Sequence, residues 1–260
     1  MRLDAFLYSN GYYPSRNKAA EAISRGEVAV DGKKVVKPSF NANDGAKIKI
    51  TGVNYVSVGA YKMNRAIEVF NFDCKDKVFA DIGASTGGFT QSLLLNGAKR
   101  VYCVDVGENQ LDASLSSDDR VVVMDRTNAR YLNKHSFPEE LYGAVVDCSF
   151  ISLKIILPVI KKLISPFGAV IALVKPQFEC GKNYLGKSGV LTDKAVRKRV
   201  VADLYNFCVS LGFSVKDFTY SPLNEKKNVE YLVYLDFSGS SVGEKYVLEV
   251  VDEADGKTRD

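Results

Sequence analysis

From residue 78 onward the chain alternates short apolar, β-compatible runs with helix-spaced segments, and this alternation constrains the fold more than any other feature. Candidate strands are 78–82, 100–105, 120–124, 143–147, 168–175, 213–220 and 229–237. Strands separated by helical segments argue for an α/β domain with a mostly parallel sheet covered on both faces. Only a short polar loop separates the last two runs, so they are expected to pair antiparallel as a hairpin at one sheet edge. A helix carrying Lys62, Met63, Ala66, Ile67, Val69 and Phe70 leads into this region from a linker at 51–61. A chain of 260 residues has room for one such domain and a small satellite.

The satellite lies at the N-terminus. Leu3, Phe6 and Leu7 are spaced as a short helix that stops at Asn10-Gly11. Ser15 stands where an N-cap belongs, before a second apolar set, Ala19, Ala20, Ala22 and Ile23, ending at Gly26. Val28-Ala29-Val30 and Lys33-Lys34-Val35-Val36 flank Asp31-Gly32, a strong hairpin signal, and residues 46–50 offer further strand. Residues 1–62 hold 10 Lys and Arg against 5 Asp and Glu, whereas 238–260 hold 3 against 6. A basic excess in the smallest part fits an arm that meets nucleic-acid phosphates, or a surface that is merely solubilised.

Other features narrow the class. The five cysteines, Cys74, Cys103, Cys148, Cys180 and Cys208, form no CxxC pair, and His135 is the single histidine. No metal site and no disulfide framework are expected; Cys103 and Cys148 sit in apolar runs and read as core. No run reaches the ~18–20 apolar residues of a membrane helix. The start, Met1-Arg2-Leu3-Asp4, lacks a signal-peptide core, so the expectation is a cytoplasmic protein without membrane contact.

Strand 78–82 runs directly into Asp81-Ile82-Gly83-Ala84-Ser85-Thr86-Gly87-Gly88-Phe89. Glycines here let the backbone turn tightly and approach a ligand beside a helix N-terminus. Ser85 stands where the dinucleotide fingerprint wants its second glycine, which counts against a pyrophosphate ligand. Asp105 follows at the end of the next strand, where a carboxylate can accept both ribose hydroxyls. The set suits an adenosine nucleoside, and the missing glycine tips it toward S-adenosylmethionine; a simple tight turn is the alternative. Asp125 is placed either to accept an adenine amine or to cap the loop Arg126-Thr127-Asn128.

Four charges sit where a soluble sheet rarely puts them. Asp147 ends Ala144-Val145-Val146, Lys175 ends Val170–Val174, Glu230 opens Tyr231–Tyr234, and Lys62 starts the helix beneath. Carboxyl ends of parallel strands face the ligand crevice in open α/β sheets, so these groups should converge on it. A buried ion-pair network is the alternative reading.

Lys62, Asp147, Lys175 and Glu230, in that order, resemble the tetrad of FtsJ-type 2′-O-methyltransferases. The stretches Ala60-Tyr61-Lys62, Asp81–Phe89, Val104–Gly107, Arg126–Arg130, Val146–Leu153, Val174–Glu179 and Asn228–Tyr231 together resemble the TlyA, or hemolysin-A, family of ribosomal RNA 2′-O-methyltransferases over about 1–237. Arg2-Leu3-Asp4, Ser15–Ala19 and Ile23–Val30 resemble the RNA-binding module of ribosomal small-subunit protein four. The resemblance implies a Rossmann-like class I methyltransferase domain at 62–237, with a seven-stranded sheet, preceded by a small α+β RNA-binding domain at 1–50. It implies S-adenosylmethionine as cofactor, held by Asp81, Gly83, Ala84, Ser85, Thr86, Gly87, Gly88, Phe89, Asp105 and Asp125. Ribosomal RNA or a ribosomal subunit would be the partner, docked through Arg2, Arg16, Lys18, Arg25, Lys33 and Lys34, with a large-subunit cytidine as the target.

A ribose hydroxyl is a very weak acid, so its methylation needs a base. A lysine serves only where burial and a nearby cation favour its neutral form. Lys175 is the expected base, with Asp147 and Glu230 orienting the two amines and keeping Lys62 charged. One departure stands out: Val58 occupies a position where the family carries arginine. The acidic tail 238–260 matches nothing in the family; Val247-Leu248-x-Val250-Val251 suggests a short packed element or an interaction segment, the other expectation being disorder. Two rival readings are a membrane-active hemolysin, which would want an apolar or amphipathic basic helix that the sequence lacks, and an RNA-binding protein with an inactive methyltransferase fold, against which all four tetrad positions are filled.

Overall fold

The structure, a computed structural model, describes every residue except 14, 44, 53–54, 223–227 and 258–260; positions 53–54 of the expected linker and the end of the expected tail therefore lie outside the described residues. The chain forms two compact units, Met1–Asn54 and Tyr55–Asp260.

In the first unit, α1 (Leu3–Ser9) and α2 (Arg16–Ser24) precede β1 (Val28–Val30), β2 (Lys33–Val35) and β3 (Ile48–Ile50). Ser15 caps α2, its hydroxyl accepting from the Lys18 N–H at 3.2 Å. Asp31 and Gly32 both have positive φ, 50° and 79°, as the tight turn between β1 and β2 requires. The sheet is antiparallel in the order β2-β1-β3. Leu3, Leu7, Ala19, Ala22, Ile23 and Val28 make its small core and are fully buried.

In the second unit, α3 (Gly59–Phe70) leads to β4 (Val78–Ile82), α4 (Gly88–Leu95), β5 (Arg100–Val104), α5 (Ala113–Ser116), β6 (Val121–Met124), β7 (Leu141–Val146), α6 (Leu153–Leu163) and β8 (Ile164–Val174). Then follow α7 (Pro176–Glu179), α8 (Lys194–Ser210), β9 (Ser214–Tyr220), β10 (Tyr231–Asp236) and α9 (Glu244–Lys257). The seven-stranded sheet runs β6-β5-β4-β7-β8-β10-β9, parallel except that β10 is antiparallel to both β8 and β9. The expected terminal hairpin is present, with β9 at the edge.

Side-chain alternation divides the core between the sheet's two faces. Val78, Ala80 and Ile82 join one cluster with Val170, Ala172, Val174 and residues of α6, α8 and α9. Phe79, Val145, Ile171 and Leu173 join another with Met63, Ala66, Phe89 and Leu93 of α3 and α4. Strands buried on both sides read as unbroken apolar runs, which is why β7 and β8 were legible.

Two boundaries differ from expectation. Helix α3 starts at Gly59, so Lys62 lies nearly a turn inside it. The tail forms α9, whose Val247, Val250, Val251 and Ala254 are buried in the same cluster as β10, so the second unit continues past residue 237. Asp252 and Asp255 tie it to Lys194, Arg197 and Lys198 of α8, which explains its acidity.

Candidate active site

The ends of β4, β7 and β8 and the start of β10 border a cavity of about 990 Å³. This is the upper end of the range for ligand pockets, enough for a nucleoside cofactor and part of a second molecule. All four charged residues line it. They form two pairs. Lys62 Nζ donates to Glu230 Oε2 at 2.9 Å, with both side chains less than a tenth exposed. Lys175 Nζ lies 2.6 Å from Asp147 Oδ1 and donates to Ser149 Oγ at 3.1 Å. The Asp147 contact is a charge pairing, not an aligned hydrogen bond. Gln177 Nε2 donates to the other oxygen of Glu230, Oε1, at 3.3 Å. Taking such ions out of water costs several kcal/mol each, so two pairs beside a cavity point to chemistry more than to stability.

The glycine loop supplies another wall. Gly83 has φ +85°, and a Cβ there would sit 2.8 Å from the Asp147 carbonyl oxygen, so only glycine fits between β4 and β7. A Cβ at Gly88 would lie 2.7 Å from the Ala60 nitrogen, which presses α4 against α3 backbone to backbone. Ser85, at φ +46°, is held in the left-handed region by donating its N–H to Asp105 Oδ2 at 2.8 Å. Asp81, wholly buried, accepts from the Thr90 N–H and hydroxyl at 3.0 and 2.7 Å through Oδ2. Its Oδ1 has no hydrogen-bond partner among the described residues, and burial pushes its pKa up to about 7.

Of the residues expected at the cofactor, Asp81, Gly83, Ala84, Ser85, Thr86, Gly88 and Phe89 line the cavity. Gly87, Asp105 and Asp125 stand outside that lining. Gly87 faces Leu111 and Leu115. Asp105 spends one bond of each oxygen on the backbone, accepting from Ser85 and from Gly107. Asp125 accepts from the Asn109 N–H at 2.8 Å; the loop after it is closed by Thr127, not by an Asp125 cap.

Sequence reasoning missed the outer wall, which includes Lys182, Leu185, Ser188 and Gly189. Asn228 holds it with both ends of its amide, accepting from the Leu191 N–H at 3.0 Å and donating to the Gly189 carbonyl at 3.2 Å. It also missed Phe150, 88% exposed at φ +63°, and Gln177. Nothing in local pattern announces these, although Ser149, Gln177 and Asn228 all lie within the family-like stretches. Val58, at the departure from the family pattern, lines the cavity too.

In the first unit the six expected RNA-facing residues divide. Arg2 and Arg16 both engage Asp4, at 2.9 and 3.1 Å, and Arg25 pairs with Glu27 at 2.8 Å. Lys18 is half-buried on α2. Lys33 and Lys34 are exposed on β2, the Lys34 stem lying over Gly26.

A seven-stranded sheet with one antiparallel strand, and a cavity beside the glycine loop, define a Rossmann-like class I methyltransferase. An S-adenosylmethionine-dependent methyltransferase from Mesorhizobium loti shares the fold (TM-score 0.52, 13% identity, 69% of this chain and 99% of that one). More particularly, residues 55–237 match the FtsJ-like methyltransferase family, and the chain belongs to it. Residues 1–48 match the S4 domain. The 16S/23S rRNA (cytidine-2′-O)-methyltransferase TlyA of Mycobacterium tuberculosis is 40% identical over 238 residues, covering 90% of this chain and 89% of that protein. The solved structure of a candidate hemolysin from Streptococcus thermophilus is 39% identical and covers 100% of this chain and 97% of its own, with TM-score 0.76.

Proposed function

We propose that the protein transfers a methyl group from S-adenosylmethionine to a ribose 2′-hydroxyl of ribosomal RNA, at a cytidine of the large subunit. The observation that carries this reading is the pair of lysine–carboxylate contacts, Lys62–Glu230 and Lys175–Asp147, at the edge of one cavity. The choice of RNA rests on the S4 match, and the choice of cytidine on what the mycobacterial relative is named for. No helix among the described residues is long and apolar enough to cross a membrane.

The cavity suits the cofactor. Asp81 Oδ1, without a hydrogen bond among the described residues, fits a donor such as an ammonium group, and the loop residues Gly83 to Thr86 line the cavity where a nucleoside would lie. The loop 83–89 and Asp81 would hold the cofactor, with Asp105 bracing Ser85 from behind. When bound, S-adenosylmethionine supplies an electrophilic methyl on a sulfonium.

The chain's own residues do the rest. Lys175, in its neutral form, takes the hydroxyl proton as the new O–C bond forms and the S–C bond breaks. Asp147 and Ser149 fix its amine between them. Glu230 holds Lys62 charged, and that charge favours an oxygen that grows more negative as its proton leaves. Alignment of oxygen and methyl in the cavity supplies much of the remaining acceleration.

The test offers the purified protein unmodified ribosomal subunits and S-adenosylmethionine, then scans the RNA for linkages resistant to alkali. A new resistant linkage after one cytidine, present only with cofactor, is expected. A methyl group found on a base would contradict the proposal.

A further inference from the structure

Gln177, two residues beyond Lys175 in α7, is 8% exposed and lines the cavity. Its Nε2 donates to Glu230 Oε1 at 3.3 Å, while Lys62 holds Oε2 at 2.9 Å. A carboxylate only accepts, so the amide must turn its nitrogen to Glu230; the flipped amide would set oxygen against oxygen. The Gln177 carbonyl oxygen, Oε1, is thereby fixed away from Glu230. There it is buried and has no hydrogen-bond partner among the described residues.

Buried acceptors left without a donor are costly and rare, and each calls for a reason. An amide oxygen cannot donate, so whatever completes it must bring a hydrogen. Two other cavity-lining residues carry such an acceptor: Asp81 Oδ1 belongs to the glycine-loop wall, and Asp147 Oδ1 lies 2.6 Å from Lys175 Nζ. Gln177 Oε1, by contrast, has no cation beside it among the described residues and stands at the reacting end, its amide bonded to Glu230. The incoming hydroxyl also brings a hydrogen that needs an acceptor until the neutral Lys175 amine takes its proton.

We infer that Gln177 positions the methyl acceptor: Nε2 steadies Glu230, and Oε1 accepts the hydrogen bond of the ribose hydroxyl about to be methylated. This rests on the function proposed above. With its hydrogen held by Gln177, the hydroxyl turns a lone pair to the methyl group. As the O–C bond forms, the proton passes to Lys175 Nζ. The methylated product is an ether with no hydrogen to offer, so Oε1 again lacks a donor and the site prefers substrate over product.

The test starts with the wild-type protein, which must first reveal the nucleotide it methylates. Failure at that step removes the proposed function itself and is distinct from failure of the inference. The same RNA is then prepared with 2′-deoxyribose at that nucleotide, which removes the hydroxyl and adds no bulk. Wild type should bind the deoxy RNA about tenfold more weakly than the ribose form. Gln177→Met, similar in length and without polar ends, should bind both alike and lose roughly 10- to 100-fold in kcat, with cofactor affinity unchanged. Gln177→Glu restores an acceptor but sets a carboxylate against Glu230; it should regain the preference for ribose while kcat stays low. Wild-type kcat/KM together with wild-type discrimination in Gln177→Met would overturn the inference. Should Gln177→Met fail to fold, Gln177→Glu decides: low kcat with the ribose preference retained supports it, and wild-type kcat overturns it.

Discussion

The two units treat a buried carboxylate in opposite ways. In the first, Asp4 is 3% exposed and carries Arg2 and Arg16 on its oxygens; the Arg2 hydrogen bond is the main reason its pKa falls to about 2. In the second, Asp81 is wholly buried, meets Thr90 through one oxygen alone, and burial raises its pKa to about 7. The N-terminal unit satisfies its buried charge internally and keeps Lys33 and Lys34 exposed. Among its described residues, the second unit leaves acceptors without a hydrogen bond on side chains that line a cavity, at Asp81, Asp147 and Gln177. On the proposed function, the first unit docks and the second reacts.

The sharpest way to break this division is at the proposed base. Lys175→Ala should lower kcat by about 10²–10⁴-fold while cofactor and RNA affinities hold, read from single-turnover transfer and separate binding titrations. Retained activity would return Lys175 to a purely structural pair.

Next in size is the buried pair. Lys62→Met strands Glu230 without its cation and should cost about 3–5 kcal/mol in urea unfolding. The double variant Lys62→Met/Glu230→Met should recover most of that stability yet stay inactive. By contrast Arg16→Met in the first unit, where Arg16 is half-exposed and the buried Asp4 keeps Arg2, should cost about 1 kcal/mol or less. Equal costs would erase the contrast between the units. At Gly83, alanine must adopt a left-handed backbone and press on the Asp147 carbonyl, so Gly83→Ala should lose about 1–3 kcal/mol and weaken cofactor binding.

Smaller but opposite in sign are the pH effects. The folded chain keeps a proton on Asp81 that the unfolded chain releases near the ordinary value of 3.8. Its contribution therefore falls as pH rises from about 4 to 7. Asp4, held low, contributes stability that is present above about pH 4 and lost toward pH 2. Asp81→Asn should flatten the first dependence and Asp4→Asn the second, in stability measured against pH.

Local chemistry explains what the sequence disclosed. Ser15, Asp31-Gly32 and the loop from Asp81 to Phe89 act through neighbours a few residues away, and each appears where the pattern placed it. The tetrad was legible as charges interrupting apolar runs. The Gln177–Glu230 bond spans 53 positions and the Asn228–Leu191 bond 37, and no local periodicity encodes such meetings. Helix α9 is different: Val247, Val250, Val251 and Ala254 recur at helical spacing, so its signal was there and was outweighed by the acidity that in fact pairs with α8.

The central claim, that docking and chemistry reside in separate units, is tested most directly by single-turnover methyl transfer against RNA concentration for Lys33→Glu/Lys34→Glu beside wild type. Each lost phosphate contact should raise the half-saturating RNA concentration and reduce the salt slope by about one, while the plateau rate stays at the wild-type value. A plateau that falls in step with affinity would contradict the division.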